Sequence, residues 1–178
     1  MKSFIVNITL IATVMITYSS CSLFEDLDDV SFDTEFPVRF IINETESNPG
    51  GKAYSATEFL DLTSDPDVEE YASKIKDVKV TKVTYFIYGV DNPGVTFSNG
   101  SVLISPTSKT IATLGSQAID ESVSGELTID QEGFDQLSAR LKTNKSETIK
   151  FQGNLSQTPS SFSIEFVFYV TVTADALK

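Results

Sequence analysis

Residues 162–173 alternate without a break. Phe162, Ile164, Phe166, Phe168, Val170 and Val172 fall on one side, and Ser163, Glu165, Val167, Tyr169 and Thr171 on the other. A period of two belongs to a strand that buries one face, and a helix would scatter these six apolar side chains around its circumference. The same period recurs at Phe36, Val38, Phe40 and Ile42, where Pro37 suits an edge position because it lacks a ladder donor. It returns over residues 78–89, where Val83, Tyr85 and Ile87 alternate with Lys82, Thr84, Phe86 and Tyr88. Both faces of that segment become apolar toward its end, which predicts a central strand. Shorter strands are expected over residues 54–62, 95–97, 102–105, 110–114, 126–129 and 147–152. Asn99-Gly100 is read as a tight hairpin between the second and third of these, and residues 153–161 as a polar loop.

Two helices interrupt the strands. Asp65 is placed to cap a helix that has Pro66 at its first position and Asp67, Glu69 and Glu70 near its positive end. Val68, Tyr71, Ala72 and Ile75 then recur at helical spacing, which predicts about three turns. Asp130 caps a second helix with Phe134, Leu137 and Leu141 on one face, although Gly133 in its first turn weakens it intrinsically. The fold class read from this pattern is mainly β. It is an antiparallel β-sandwich, immunoglobulin-like in style, of eight or nine strands with two short helices.

The N-terminus is patterned differently. Lys2 precedes an apolar run over residues 4–16, and Ser19 and Ser20 lead to Cys21. This is the order of a signal peptide, and the run is shorter than the roughly 20 apolar residues that span a bilayer. Tyr18-Ser19-Ser20-Cys21 resembles the loosened lipobox of Bacteroidota envelope lipoproteins, with Tyr18 where an aliphatic residue is usual and Ser20 in place of Gly or Ala. The resemblance implies acylation of Cys21, which would become the first residue of the mature chain and its membrane anchor in the outer membrane. An ordinary signal peptidase cut after Ser22 is the alternative on the same residues.

Six acids follow, at Glu25, Asp26, Asp28, Asp29, Asp33 and Glu35. Like-charge repulsion predicts an extended or disordered tether over residues 21–35, between a signal peptide at 1–20 and one sandwich domain at 36–178. Acids after the lipid-bearing cysteine also resemble the surface-export signal of Bacteroidota lipoproteins. Cell-surface and periplasmic orientations both remain open at this point.

Composition removes several chemistries. The chain has no His, no Trp and one Cys, so histidine general bases, Ser/His or Cys/His pairs, multi-Cys metal sites and an intrachain disulfide are excluded. Thirteen Lys and Arg against 25 Asp and Glu leave a net charge of -12, which repels nucleic-acid phosphates. Asp65 with Asp67, or Asp91 with Asn92, offer oxygens to calcium, but a helix cap and a turn explain them, and no metal or cofactor is expected. Glu165 is the most suggestive single acid, lying in an apolar run. Tyr54, Tyr85, Tyr88 and Tyr169 are the side chains available as platforms for a sugar ring. The function expected is that of a non-enzymatic, lipid-anchored envelope protein that binds a partner or serves in an assembly. The alternatives are a carbohydrate-binding surface module or a glycoside hydrolase using two carboxylates.

Overall fold

Apolar residues at every second position turn most of the chain into strands with one face to bury. The computed structural model describes residues 29–176. In chain order it contains β1 (Asp29–Asn48), β2 (Lys52–Asp61), helix α1 (Pro66–Glu70), β3 (Ile75–Tyr88), β4 (Val95–Ile104), β5 (Lys109–Leu114), β6 (Gln117–Ile119), β7 (Ser124–Glu126), β8 (Thr128–Ile129), helix α2 (Gln131–Asn144), β9 (Ser146–Leu155) and β10 (Thr158–Asp175). The strands form two antiparallel sheets. The first has the order β1-β10-β3-β7, and the second β2-β9-β4-β5-β8 with β6 also paired to β4. This is the antiparallel sandwich that the alternation implied, with ten strands instead of eight or nine.

The inner faces meet in a phenylalanine cluster. Phe40 and Phe166 come from the first sheet and Phe97 and Phe151 from the second, all fully buried. Ring centroids lie 4.8 Å apart for Phe151 and Phe166, 4.9 Å for Phe97 and Phe151, and 5.6 Å for Phe40 and Phe151. Contacts in this range add to the burial of apolar area that holds the two layers together. Phe36, Val38, Ile42, Val83, Ile87 and Ile149 extend the cluster toward the ends of the sandwich. β1 is an edge strand, as Pro37 suggested, and β3 is interior, with β10 on one side and β7 on the other.

Five local expectations are corrected. The acidic stretch is not a tether as far as residue 35: residues 29–35 begin β1 and pair with β10, from Asp29 opposite Asp175 to Glu35 opposite Tyr169. Pairing is possible because the acids are spread along the strand and find partners. Thr171 donates to Asp33 over 2.6 Å, and Asp29 pairs with Lys76. Residues 1–28, which include the signal sequence, Cys21 and the first acids, lie outside the described residues.

Asn99-Gly100 is not a hairpin, because β4 runs straight through it. Ser98 faces Asn154 and Ser101 faces Gln152, so Asn99 and Gly100 together oppose Gly153 as a β-bulge. Asn99 takes the left-handed conformation, with φ of 52°, which Asn tolerates better than most residues. A Cβ on Gly153 would lie 2.2 Å from Cε1 of Phe97, so the ring occupies the space that a side chain would need.

The segment read as one strand at 126–129 is divided between sheets. β7 pairs with β3 and β8 with β5, and buried Leu127 sits at the crossing. The loop expected at 153–161 shrinks to Ser156 and Gln157, because β9 and β10 extend into it.

α1 is also shorter than three turns. Asp65 caps it through Asp67 N and Val68 N, but the chain passes at Tyr71 into a 3-10 turn, Ala72–Lys74, before β3 begins. α2 forms as expected, with Phe134, Leu137 and Leu141 buried and Asp130 accepting from Gly133 N at 2.7 Å. Gly133 is required here. A Cβ at that position would stand 1.9 Å from the Thr110 carbonyl oxygen, so the helix packs directly on the β5 backbone.

Candidate functional site

Alternation buries one face of each strand and leaves the other outside. On the outer face of the first sheet, register aligns residues of β1, β10 and β3 in rows. Ile41, Ser163 and Tyr88 form one row, and Arg39, Glu165 and Phe86 the next. Pro37, Val167 and Thr84 follow, then Glu35, Tyr169 and Lys82. From strand spacings, this grid measures roughly 20 Å along the strands and 10 Å across. It exposes large apolar side chains among charged ones: Ile41 is 66% exposed and Phe86 41%. Pro37 is also exposed, and Val167, Tyr88 and Tyr169 are half-buried.

Cations hold the aromatic rings at both ends of the grid. The Arg39 guanidinium lies 5.2 Å from the Tyr88 ring centroid, and the Lys82 ammonium 3.9 Å from that of Tyr169. Such contacts order both partners. Phe86 stacks on Tyr88, with centroids 5.5 Å apart and planes 21° from parallel. Arg39 Nε and Glu165 Oε2 are 4.0 Å apart, an ion pair too open for a direct hydrogen bond. Among the described residues, the buried Oη of Tyr88 has no hydrogen-bond partner. Beside Phe86, Thr84, Val167, Ser124 and Glu126 line a shallow depression of about 440 Å³.

The four tyrosines singled out from sequence divide evenly. Tyr88 and Tyr169 lie on this outer face, six residues of β10 register apart, or roughly 20 Å. Tyr54 and Tyr85 are core residues, 9% and 8% exposed, and neither can serve as a platform. Tyr54 packs against Phe97 and Phe151 and donates to the Ile41 carbonyl over 3.3 Å. Burial, followed by the charges of Glu58 and Glu44, pushes its phenol up to about 12. Tyr85 donates to Gln117 Oε1 at 2.8 Å, and burial raises its phenol too.

The acids are similarly sorted. Glu165 is on the outer grid beside Arg39. Asp65 accepts from Thr34 Oγ1 and from α1 backbone N–H groups, and these bonds, Thr34 first, hold its carboxyl below the usual range. Asp91 donates its backbone N–H to the Ser161 carbonyl and Asn92 its side-chain amide to the Pro159 carbonyl, which ties their loop to β10. Among the described residues, no three His, Cys, Asp or Glu side chains converge as a metal would require.

Sequence reasoning missed Arg39 and Phe86. The signal for Phe86 was present, since residues 85–88 are apolar on both faces, but only register shows that Phe86 and Arg39 share one row.

No family model and no curated protein matches the chain. Among solved structures it is similar to a decameric BFDV capsid protein at 13% identity and TM-score 0.44, covering 81% of this chain and 99% of that one. Desmodium yellow mottle tymovirus is similar at 8% identity and TM-score 0.38, over 84% and 89% of the two chains. A carbohydrate-binding module of the β-sandwich superfamily is similar at 13% identity and TM-score 0.29, over 83% of this chain and 57% of that one. At these identities and scores the likenesses carry nothing about what this chain binds.

Proposed function

We propose that this chain is a non-catalytic binding domain of the bacterial envelope, anchored to the outer membrane through lipid on Cys21, and that it meets its partner with the outer face of the β1-β10-β3 sheet. The observation that carries the binding reading is the ordered outer grid that exposes Phe86 and Ile41 among charged side chains. Aromatic side chains interleaved with Arg39 and Glu165 form the mixed apolar and polar surface that binding faces commonly present. The rings are held by Arg39 and Lys82, so little ordering remains to be done when a partner arrives.

The anchor reading rests on the lipobox-like sequence and supplies a geometric limit. Eight residue steps separate Cys21 from Asp29, and a fully extended chain spans at most about 29 Å over that length. Asp29 pairs with Asp175 across the ladder and with Lys76 by charge, so an acylated Cys21 would keep this end of the sandwich near the bilayer. The 20-residue β1 then runs away from it.

Comparing the wild type with Cys21→Ala in a Bacteroidota host tests the anchor. Membrane association should disappear in the variant, and protease treatment of intact cells reports whether the domain faces outward. A variant that fractionates with membranes as the wild type does would refute lipidation at Cys21, and the protein would then be sought as a freely released one.

A further inference from the structure

The outer grid supports a ligand class as well as a surface, an inference that rests on the binding reading above. Phe86 has Tyr88 stacked on the side toward one end of β3, and Thr84 two residues away toward the other. One ring face is therefore covered, and the depression lined by Thr84, Val167, Ser124 and Glu126 adjoins the residue on the side away from Tyr88. Because the stacked pair fixes the ring, Phe86 is a preformed wall. In the row it shares with Arg39 and Glu165, the polar groups are left open toward each other at 4.0 Å.

We propose that this face binds a neutral saccharide chain, with the C–H face of one sugar ring against Phe86 in the depression and hydroxyls of an adjoining ring, outside the depression, bridging Arg39 and Glu165 in the same row. A hydroxyl both donates and accepts, so it can accept from the guanidinium and donate to the carboxylate across a gap that the two side chains leave unclosed. A purely apolar occupant would leave Arg39 and Glu165 uncompensated, at a desolvation cost. Charge points to neutrality: Glu35, Glu165 and Glu126 share this face with Arg39 and Lys82, so neither a polyanion nor a polycation gains from this surface.

The test uses the full chain carrying Cys21→Ala on an array of neutral laminarin, mannan, xylan and galactan, with polygalacturonate and heparan sulfate as acidic comparators. At least one neutral polysaccharide should bind in preference to the acidic ones. Phe86→Ala should weaken that binding by roughly tenfold or more while the melting curve stays cooperative, and Phe86→Tyr should restore it. Arg39→Ala, on the exposed edge strand, gives a second reading that does not depend on Phe86 and should also weaken binding. Silence toward every neutral polysaccharide, preference for the acidic ones, or binding indifferent to both Phe86→Ala and Arg39→Ala would overturn the saccharide assignment. Cross-linking in intact cells then separates the two levels. An envelope protein captured by the wild type and lost with Phe86→Ala would show that the face binds protein instead, whereas silence in both assays would remove the binding reading as well.

Discussion

At Tyr54 the phenol is buried between Phe97 and Phe151, and its ionisation is displaced for that reason. The folded value of about 12 lies above the ordinary 10.0, so the folded state favours the neutral phenol. The resulting contribution is fully present below about pH 10 and is lost as pH rises from there toward 12, because the unfolded chain gives up the proton first. Replacing Tyr54 with Phe removes the titration together with a long bond to the Ile41 carbonyl. At pH 8 the variant should lie within about 1 kcal/mol of the wild type. At pH 11 the balance should move in the variant's favour by about 1 kcal/mol, as measured by urea denaturation at both pH values. An unchanged difference between them would mean that Tyr54 is not buried as described. Tyr88 carries the same side chain, yet lies outside, because its strand alternates and it falls on the other phase. Sequence singled out both residues as aromatic platforms, and phase within a strand decided between them.

Helix α2 illustrates what elements add to residues. In an isolated helix, replacing Gly133 with Ala would stabilise by about 1 kcal/mol, since Gly has the more flexible backbone to restrain. Here the new Cβ would meet the Thr110 carbonyl oxygen at 1.9 Å, and the neighbouring atoms are backbone that cannot rotate aside. Gly133→Ala should therefore destabilise the protein by roughly 2 kcal/mol or more, visible as a lower urea midpoint with an unchanged slope. A gain in stability would refute the close packing of α2 on β5. The helix itself was legible from Asp130 and from the spacing of Phe134, Leu137 and Leu141. The reason for its glycine was not, because Thr110 is 23 positions away. Asn99-Gly100 teaches the same point: the dipeptide is a local turn signal, but Gly153 and the Phe97 ring opposite it turn that signal into a bulge within one strand.

Across the whole molecule, the two ends of the described chain are joined. β1 and β10 pair from Asp29 opposite Asp175 onward, so the first sheet is closed by residues 146 positions apart. Phe32, opposite Val172 and 6.0 Å from the Tyr71 ring, packs against the core from this terminal stretch. Phe32→Ala should cost about 2 kcal/mol of stability in thermal or chemical unfolding. An unchanged midpoint would instead return residues 29–35 to the status of a solvated tether. The same pairing bears on orientation, since whatever holds the N-terminal end of β1 also holds the C-terminal end of β10.

What the sequence determined by itself was local and periodic. The alternation at residues 36–42, 78–89 and 162–173 specified strands and the faces they bury, and the caps at Asp65 and Asp130 located the helices, because both signals act over a few neighbouring residues. Composition removed histidine and multi-cysteine chemistry for the same reason, since it needs no geometry. Only the tertiary structure could decide where strands end, which glycine is a bulge and which a contact, and which outward residues stand side by side. Arg39, Glu165 and Phe86 lie on three strands and form one row only after register is set. Register follows from burying all the inner faces at once, a condition that no single segment carries.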